Sequence, residues 1–232
     1  MTEKPILIGC GHGTTSEEGL QAIRDLLGAV RLALPDVEVR EAYVDVHGPA
    51  LEDVIADIPH AQSGTSAVVV PLFLAGGFHV YHDIATAVEA RDDVLSAAAL
   101  GPDARLVDAV LARLREAHVS REATLVLAAA GSSDPRLQAD TEAAAETLRG
   151  AWEGPVRVAF VEGPEHSVAH AVEAAREFGE EGIVAVASFL LAPGVFHDTL
   201  QHAGADVVTG PLAPHPDIVS IVIDRYSSLL HA

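Results

Sequence analysis

A chain of 232 residues is long enough for one large α/β domain or for two of about 110 residues, each able to bury a core. Its 34 Asp and Glu stand against 14 Lys and Arg, a formal charge of −20 that repels nucleic acid and anionic membrane surfaces and excludes both as expected partners. Apolar residues make up 49% of the chain and aromatic ones only 4%, so the core is built from Ala, Val, Leu and Ile, as in helix-covered parallel sheets.

From Met1 the chain runs almost at once into the strand-like Ile6-Leu7-Ile8, without the basic region and apolar segment of a secretion signal. Gly, Pro or charge breaks every apolar stretch before the roughly 18 residues a spanning helix requires. The one cysteine, Cys10, has no partner for an internal disulfide. These features predict a soluble, cytoplasmic protein.

Short apolar runs then alternate with amphipathic stretches, the pattern of βαβ units feeding a parallel sheet. Strands are predicted near residues 5–9, 37–45, 67–72 and 94–100, with helices near 16–34, 49–58, 82–90 and 103–117. The order repeats, with strands near 124–129, 156–162, 183–188 and 206–209 and helices near 135–149, 165–178, 197–203 and 214–230. Residues 119–123 form the natural boundary between an N-terminal domain, 1–119, and a C-terminal repeat, 120–232. The expected fold class is α/β: two tandem three-layer α/β/α units, each with a four-stranded parallel sheet.

The halves also match residue by residue, which says more than a shared hydrophobic rhythm. His12-Gly13-Thr14 falls against Ala130-Gly131-Ser132, and Ala42-Tyr43-Val44-Asp45 against Ala159-Phe160-Val161-Glu162. The block from Pro71 to His79 falls against that from Ser188 to His197 with one inserted residue, and Gly101-Pro102 against Gly210-Pro211. The copies part at Ala130, which stands where the first has His12. The second copy keeps one histidine of two, so chemistry is placed in the first, while the second, its site read as degenerate, takes a structural or lid role in which His197 either closes over the first site or is a remnant.

In an open parallel sheet, ligands bind outside the carboxyl ends of the strands, near the point where strand order reverses. His12 follows the first strand and His79 the third. If those strands are neighbours, about 4.8 Å apart, their loops bring two imidazoles together. Imidazole ligates divalent iron, cobalt, nickel and zinc and also accepts protons near neutral pH, so His12 and His79 are candidates both as metal ligands and as bases. A single cysteine and no tight four-ligand spacing argue against a closed structural zinc site and for an open, transient one. Gly11, Gly13, Gly76 and Gly77 flank the histidines and permit close backbone approach to a ligand. Thr14, Thr15 and Ser16, at the start of the next helix, can cap it or hold a carboxylate. Gly13, Thr14 and Gly77 are therefore the candidate residues for gripping a bound molecule. His166 and His170, four apart on a predicted helix, share one face but lack a third ligand.

The run Gly11-His12-Gly13, the strand end Ala42-Tyr43-Val44-Asp45, the block from Pro71 to His79 with Asp83-Ile84, and Leu100-Gly101-Pro102 together resemble the sirohydrochlorin chelatase family. These are the ATP-independent (class II) tetrapyrrole chelatases, and the resemblance covers the whole chain as their two-copy form. It implies a chelatase-like fold and insertion of Fe²⁺ or Co²⁺ into sirohydrochlorin, a step towards sirohaem or cobalamin. The metal is then a substrate, with no cofactor bound permanently. The family's histidines map onto His12 and His79, and its acidic residue after the second strand onto Asp45, where glutamate is more usual. Asp45 joins the two histidines as the candidate catalytic set. Asp45 or Asp83 can orient an imidazole or carry protons away. Helix capping is the simpler reading of Asp83, and a strand-end turn that of Asp45.

Two other functions compete. A histidine phosphatase also places His-Gly after a strand, but Gly11 stands where its phosphate-binding arginine is expected. A non-catalytic metal or tetrapyrrole carrier would use the same two histidines. Two fused copies can replace a homodimer, which predicts a monomer or a weak oligomer.

Overall fold

The computed structural model describes residues 4–61, 63–132, 134–162, 167–177 and 182–230. The first repeat runs β1 (Ile6–Gly11), α1 (Glu17–Ala33), β2 (Val39–Tyr43), α2 (Leu51–Ala56), β3 (Ala67–Pro71), a π-helical turn (His79–Ile84) continuing as α3 (Ala85–Glu89), β4 (Val94–Ser96) and α4 (Ala104–Glu116). The second runs β5 (Thr124–Ala129), α5 (Pro135–Ala151), β6 (Val156–Phe160), α6 (Val168–Glu177), β7 (Val184–Phe189), α7 (Val195–Gln201), β8 (Val207–Val208) and α8 (Pro216–Ser228).

Each repeat contributes a four-stranded, all-parallel sheet, ordered β2-β1-β3-β4 in one and β6-β5-β7-β8 in the other. The central strands β3, β5 and β7 are buried throughout, because helices cover both faces of the sheet and leave no polar side to alternate with. In the first sheet Ile8 and Cys10 share one face with Ala67 and Val69 and pack against Leu51, Val54 and Ile55 of α2 and Ile84 and Ala87 beyond them. The helices start where the sequence supplies caps: Ser16 Oγ accepts from the Gly19 N–H, and Asp103 and Asp134 accept from the N–H groups two residues on.

Strand register bears out the residue-by-residue match of the repeats. Cys10 opposes Ala42 on one side and Pro71 on the other, while Ala128 opposes Ala159 and Ser188.

Two features differ from expectation. One edge strand of each sheet is short: β8 has two residues, and β4 stops at Ser96, although apolar residues continue to Leu100. The boundary near residue 120 divides the repeats but not the compact units, which comprise Met1–Gly101 with Pro214–Ala232, and Pro102–Ala213. The last helix of each repeat is exchanged. In the first unit α8 packs on α1 and β3, and in the second α4 packs on α5 and β7. Hydrophobic periodicity says that a helix covers a sheet without saying which sheet.

Corresponding arginines fasten the exchanged helices, each ten residues beyond its helix cap. The Arg225 guanidinium donates to the carbonyls of Ala99 and Leu100, both at 2.8 Å, and that of Arg113 to Pro211 at 2.8 Å and Leu212 at 3.2 Å. Beside Arg225, the Tyr226 hydroxyl donates to the Pro5 carbonyl at 2.6 Å, and burial pushes this phenol up to about 12.

Candidate active site

The strand order of the first unit makes β1 and β3 neighbours, with the chain turning one way to β2 and the other way to β4. The loops leaving β1 and β3 therefore flank the switch point, where a crevice opens in such sheets. His12 lies one residue past β1, and His79 opens the π-helical turn after β3. Their rings meet edge to face, with centroids 4.6 Å apart and planes at 79°.

The hydrogen bonds of each ring define its tautomer. A neutral imidazole carries one N–H and one lone pair, and a carbonyl or carboxylate oxygen can only accept. The Nδ1 of His12 lies 3.1 Å from the Gly13 carbonyl and that of His79 lies 2.7 Å from Asp83 Oδ2. In the neutral rings both Nδ1 atoms are therefore donors, and both Nε2 atoms keep a lone pair for a metal or a proton.

The loop behind His12 is held by backbone. Val44 N–H donates to the Gly11 carbonyl at 3.1 Å and Asp45 N–H to the His12 carbonyl at 3.0 Å. Gly13 has φ of +101°, and a Cβ there would collide with the Asp45 carbonyl, so only glycine closes this turn without strain. Asp45 is exposed and its Oδ1 accepts from the Val46 N–H at 2.7 Å, the strand-end turn foreseen for it. Val46 is held at φ of +59°, uncommon for a β-branched residue, and is more than half exposed.

The remaining gripping candidates serve the local chain. Thr14 Oγ1 accepts from the Ser16 N–H at 3.1 Å, and the Gly77 carbonyl accepts from the N–H groups of Val80 and Tyr81 at 3.1 Å. Cys10 belongs to the core, where burial, then the nearby Glu52, raises its thiol far above the ordinary range and disfavours the ligating thiolate.

The helix after β3 begins three residues before the predicted start at His82, because its first turn is π-helical. Such single turns are rare and recur at functional sites. Asp83 consequently lies inside the helix and caps nothing. Its second oxygen, Oδ1, lies 3.2 Å from Nδ1 of His82, whose ring stacks on Phe78 at 4.8 Å and 15°. Phe78, its ring 5.8 Å from that of His79, is half exposed and gives the histidine pair an apolar neighbour. His82 and Asp83 stand out in the sequence for following His79 closely, but the stack of His82 on Phe78 and its bond to Asp83 escaped the sequence reading; the clue available was the cluster Phe78-His79-Val80-Tyr81-His82-Asp83.

The second repeat keeps the loop and loses the pair. Val161 and Glu162 donate to the Ala129 and Ala130 carbonyls, both at 2.9 Å, and Gly131 has φ of +98° with the Glu162 carbonyl against it. Ala130 offers no imidazole. His197 lies within α7 and its Nε2 is 3.1 Å from the Thr209 carbonyl, so in the neutral ring the N–H is on Nε2, opposite to His12 and His79.

His166 lies outside the described residues, and His170 is exposed on α6. Among the described residues no group of three or more His, Cys, Asp or Glu is placed to hold a metal ion, and no helix is long and apolar enough to cross a membrane.

Comparison with known proteins agrees with this anatomy. The Bacillus subtilis protein SirB, solved with Fe³⁺, superposes with a TM-score of 0.80 at 19% identity over 97% of this chain and 95% of its own. A sirohydrochlorin ferrochelatase of Priestia megaterium is 27% identical over 148 residues, which span 60% of this chain and only 55% of that relative. A sirohydrochlorin cobaltochelatase of Methanosarcina acetivorans is 30% identical over 131 residues, 50% of this chain and 99% of that relative, which is therefore about one repeat long. The CbiX family model matches twice, over residues 6–117 and 124–229, once for each repeat. Matched along nearly its whole length in this way, the chain belongs to the CbiX family, in the two-copy form that its motifs resemble.

Proposed function

We propose that the N-terminal repeat inserts a divalent metal, Fe²⁺ or Co²⁺, into sirohydrochlorin without ATP, as a step in making sirohaem or cobalamin. The observation that carries this reading is the pair of imidazoles meeting 4.6 Å apart at the switch point, each with Nε2 free. Metallation asks for two things that such a pair supplies. Two pyrrole N–H protons must leave the macrocycle, and the metal must shed part of its water shell while held close to the ring nitrogens. An Nε2 lone pair does either job. The names of the relatives, one a ferrochelatase and one a cobaltochelatase, fit both metals.

Asp45 enters the proposal as the exposed carboxylate of the loop hydrogen-bonded to His12, placed to pass protons to water. Gly13, Thr14 and Gly77 shape the two loops that approach the macrocycle. Phe78, half exposed beside His79, offers it an apolar edge. The substrate's carboxylates work against the protein's −20 charge, so binding depends on local contacts and weakens as salt is removed. The reducing cytoplasm suits a chain with one buried thiol, and a chain already holding two repeats is expected to act as a monomer or a weak oligomer.

The test is anaerobic mixing of the protein with sirohydrochlorin and Fe²⁺, Co²⁺ or Ni²⁺, without ATP, followed by absorbance. The expected result is metallation well above the spontaneous rate with Fe²⁺ or Co²⁺. Binding of metal or macrocycle with no acceleration would identify a carrier instead.

A further inference from the structure

We propose that Asp83 is the positioning residue that commits His79 to the tautomer with Nε2 free, and that its absence from the second repeat released His197 into the opposite one. The proposal deepens the reading of the histidine pair given above and rests on it. The hydrogen bond from His79 Nδ1 to Asp83 Oδ2, at 2.7 Å, is the shorter of the two that this carboxylate receives. Asp83 is itself held. Its Oδ1 is taken by Nδ1 of His82 at 3.2 Å, and the His82 ring is stacked face to face on Phe78. Both oxygens are thus engaged, and the carboxylate cannot swing away without giving up two charge-assisted bonds.

The second repeat is a built-in control. Four residues after His79 comes Asp83; four residues after His197 comes Gln201, and Leu200 stands in the place of His82. With no carboxylate on Nδ1, the His197 ring binds the Thr209 carbonyl through Nε2, the nitrogen that His79 keeps free. The loss of His12 and the loss of this carboxylate are separate changes, and each alone disables a pair of free Nε2 lone pairs.

Nitrogen NMR of the protein labelled with ¹⁵N-histidine reads the tautomer with neither metal nor tetrapyrrole present, the His79 signals being identified by their loss in His79→Ala. The wild type is expected to show His79 protonated at Nδ1, and Asp83→Ala to show it mixed or protonated at Nε2 with the fold intact. Asp83→Asn, which keeps an acceptor oxygen in place, is expected to retain the wild-type pattern. In the metallation assay Asp83→Ala is expected to lose about 10- to 100-fold in kcat while KM for the macrocycle holds. A wild-type ring protonated at Nε2, an unchanged ring in Asp83→Ala, or an Asp83→Asn protein as impaired as Asp83→Ala would each overturn the proposal. A wild type with the expected ring pattern that fails to accelerate metallation refutes the proposed function and leaves the assignment of Asp83 standing.

Discussion

The loops after β1 and β5 have the same backbone and different chemistry. Both carry a glycine at positive φ pressed against the carbonyl of an acidic residue, and both accept two N–H groups from the end of the neighbouring strand. One presents His12 from this frame and the other Ala130. The difference teaches that the turn belongs to the fold, since it stands with or without the imidazole that the proposed function needs. A turn fixed by backbone bonds costs nothing to keep when its side chain falls out of use, and rebuilding it would cost stability.

The comparison breaks first, and most visibly, at the histidines. His12→Ala and His79→Ala should each lower the metallation rate by about 100-fold or more, whereas His197→Ala should change it by less than about threefold. Equal losses in all three would return the second repeat to the active machinery. Next come the glycines. Gly13→Ala and Gly131→Ala should each destabilise by about 1–3 kcal/mol or more in denaturant titrations, because both force a Cβ into positive φ and onto a carbonyl. Only Gly13→Ala should also cost activity, and a cost confined to one of the two in stability would show that the loops are not equivalent. The smallest effect is expected at the arginines. Arg113→Ala and Arg225→Ala each remove two hydrogen bonds to carbonyls and should destabilise by roughly 1–3 kcal/mol, by similar amounts in the two units. A thermal melt of each variant checks this.

Much of this architecture is written in the sequence in plain form. Fully buried strands read as continuous apolar runs, caps such as Ser16 and Asp103 mark helix starts, and the internal match pairs the strands of the two sheets correctly. The histidine pair follows from two strand ends and the rule of the switch point. What escaped depends on quantities that no hydrophobic pattern carries. The π-helical turn is a shift of hydrogen-bond register by one residue, and without it Asp83 read as a cap for a helix in which it is an interior residue. Stacking of His82 on Phe78 depends on rotamers, and the short β4 on where ladder bonds stop.

The exchanged helices have a consequence for how the molecule is made. The sheet bearing His12 and His79 is covered on one face by α8, which follows the other strands and helices of the second repeat, so that cover arrives only after the second repeat has been synthesised. A chain that has made β1 to β4 but not yet α8 therefore holds His12 and His79 on a sheet still lacking that cover.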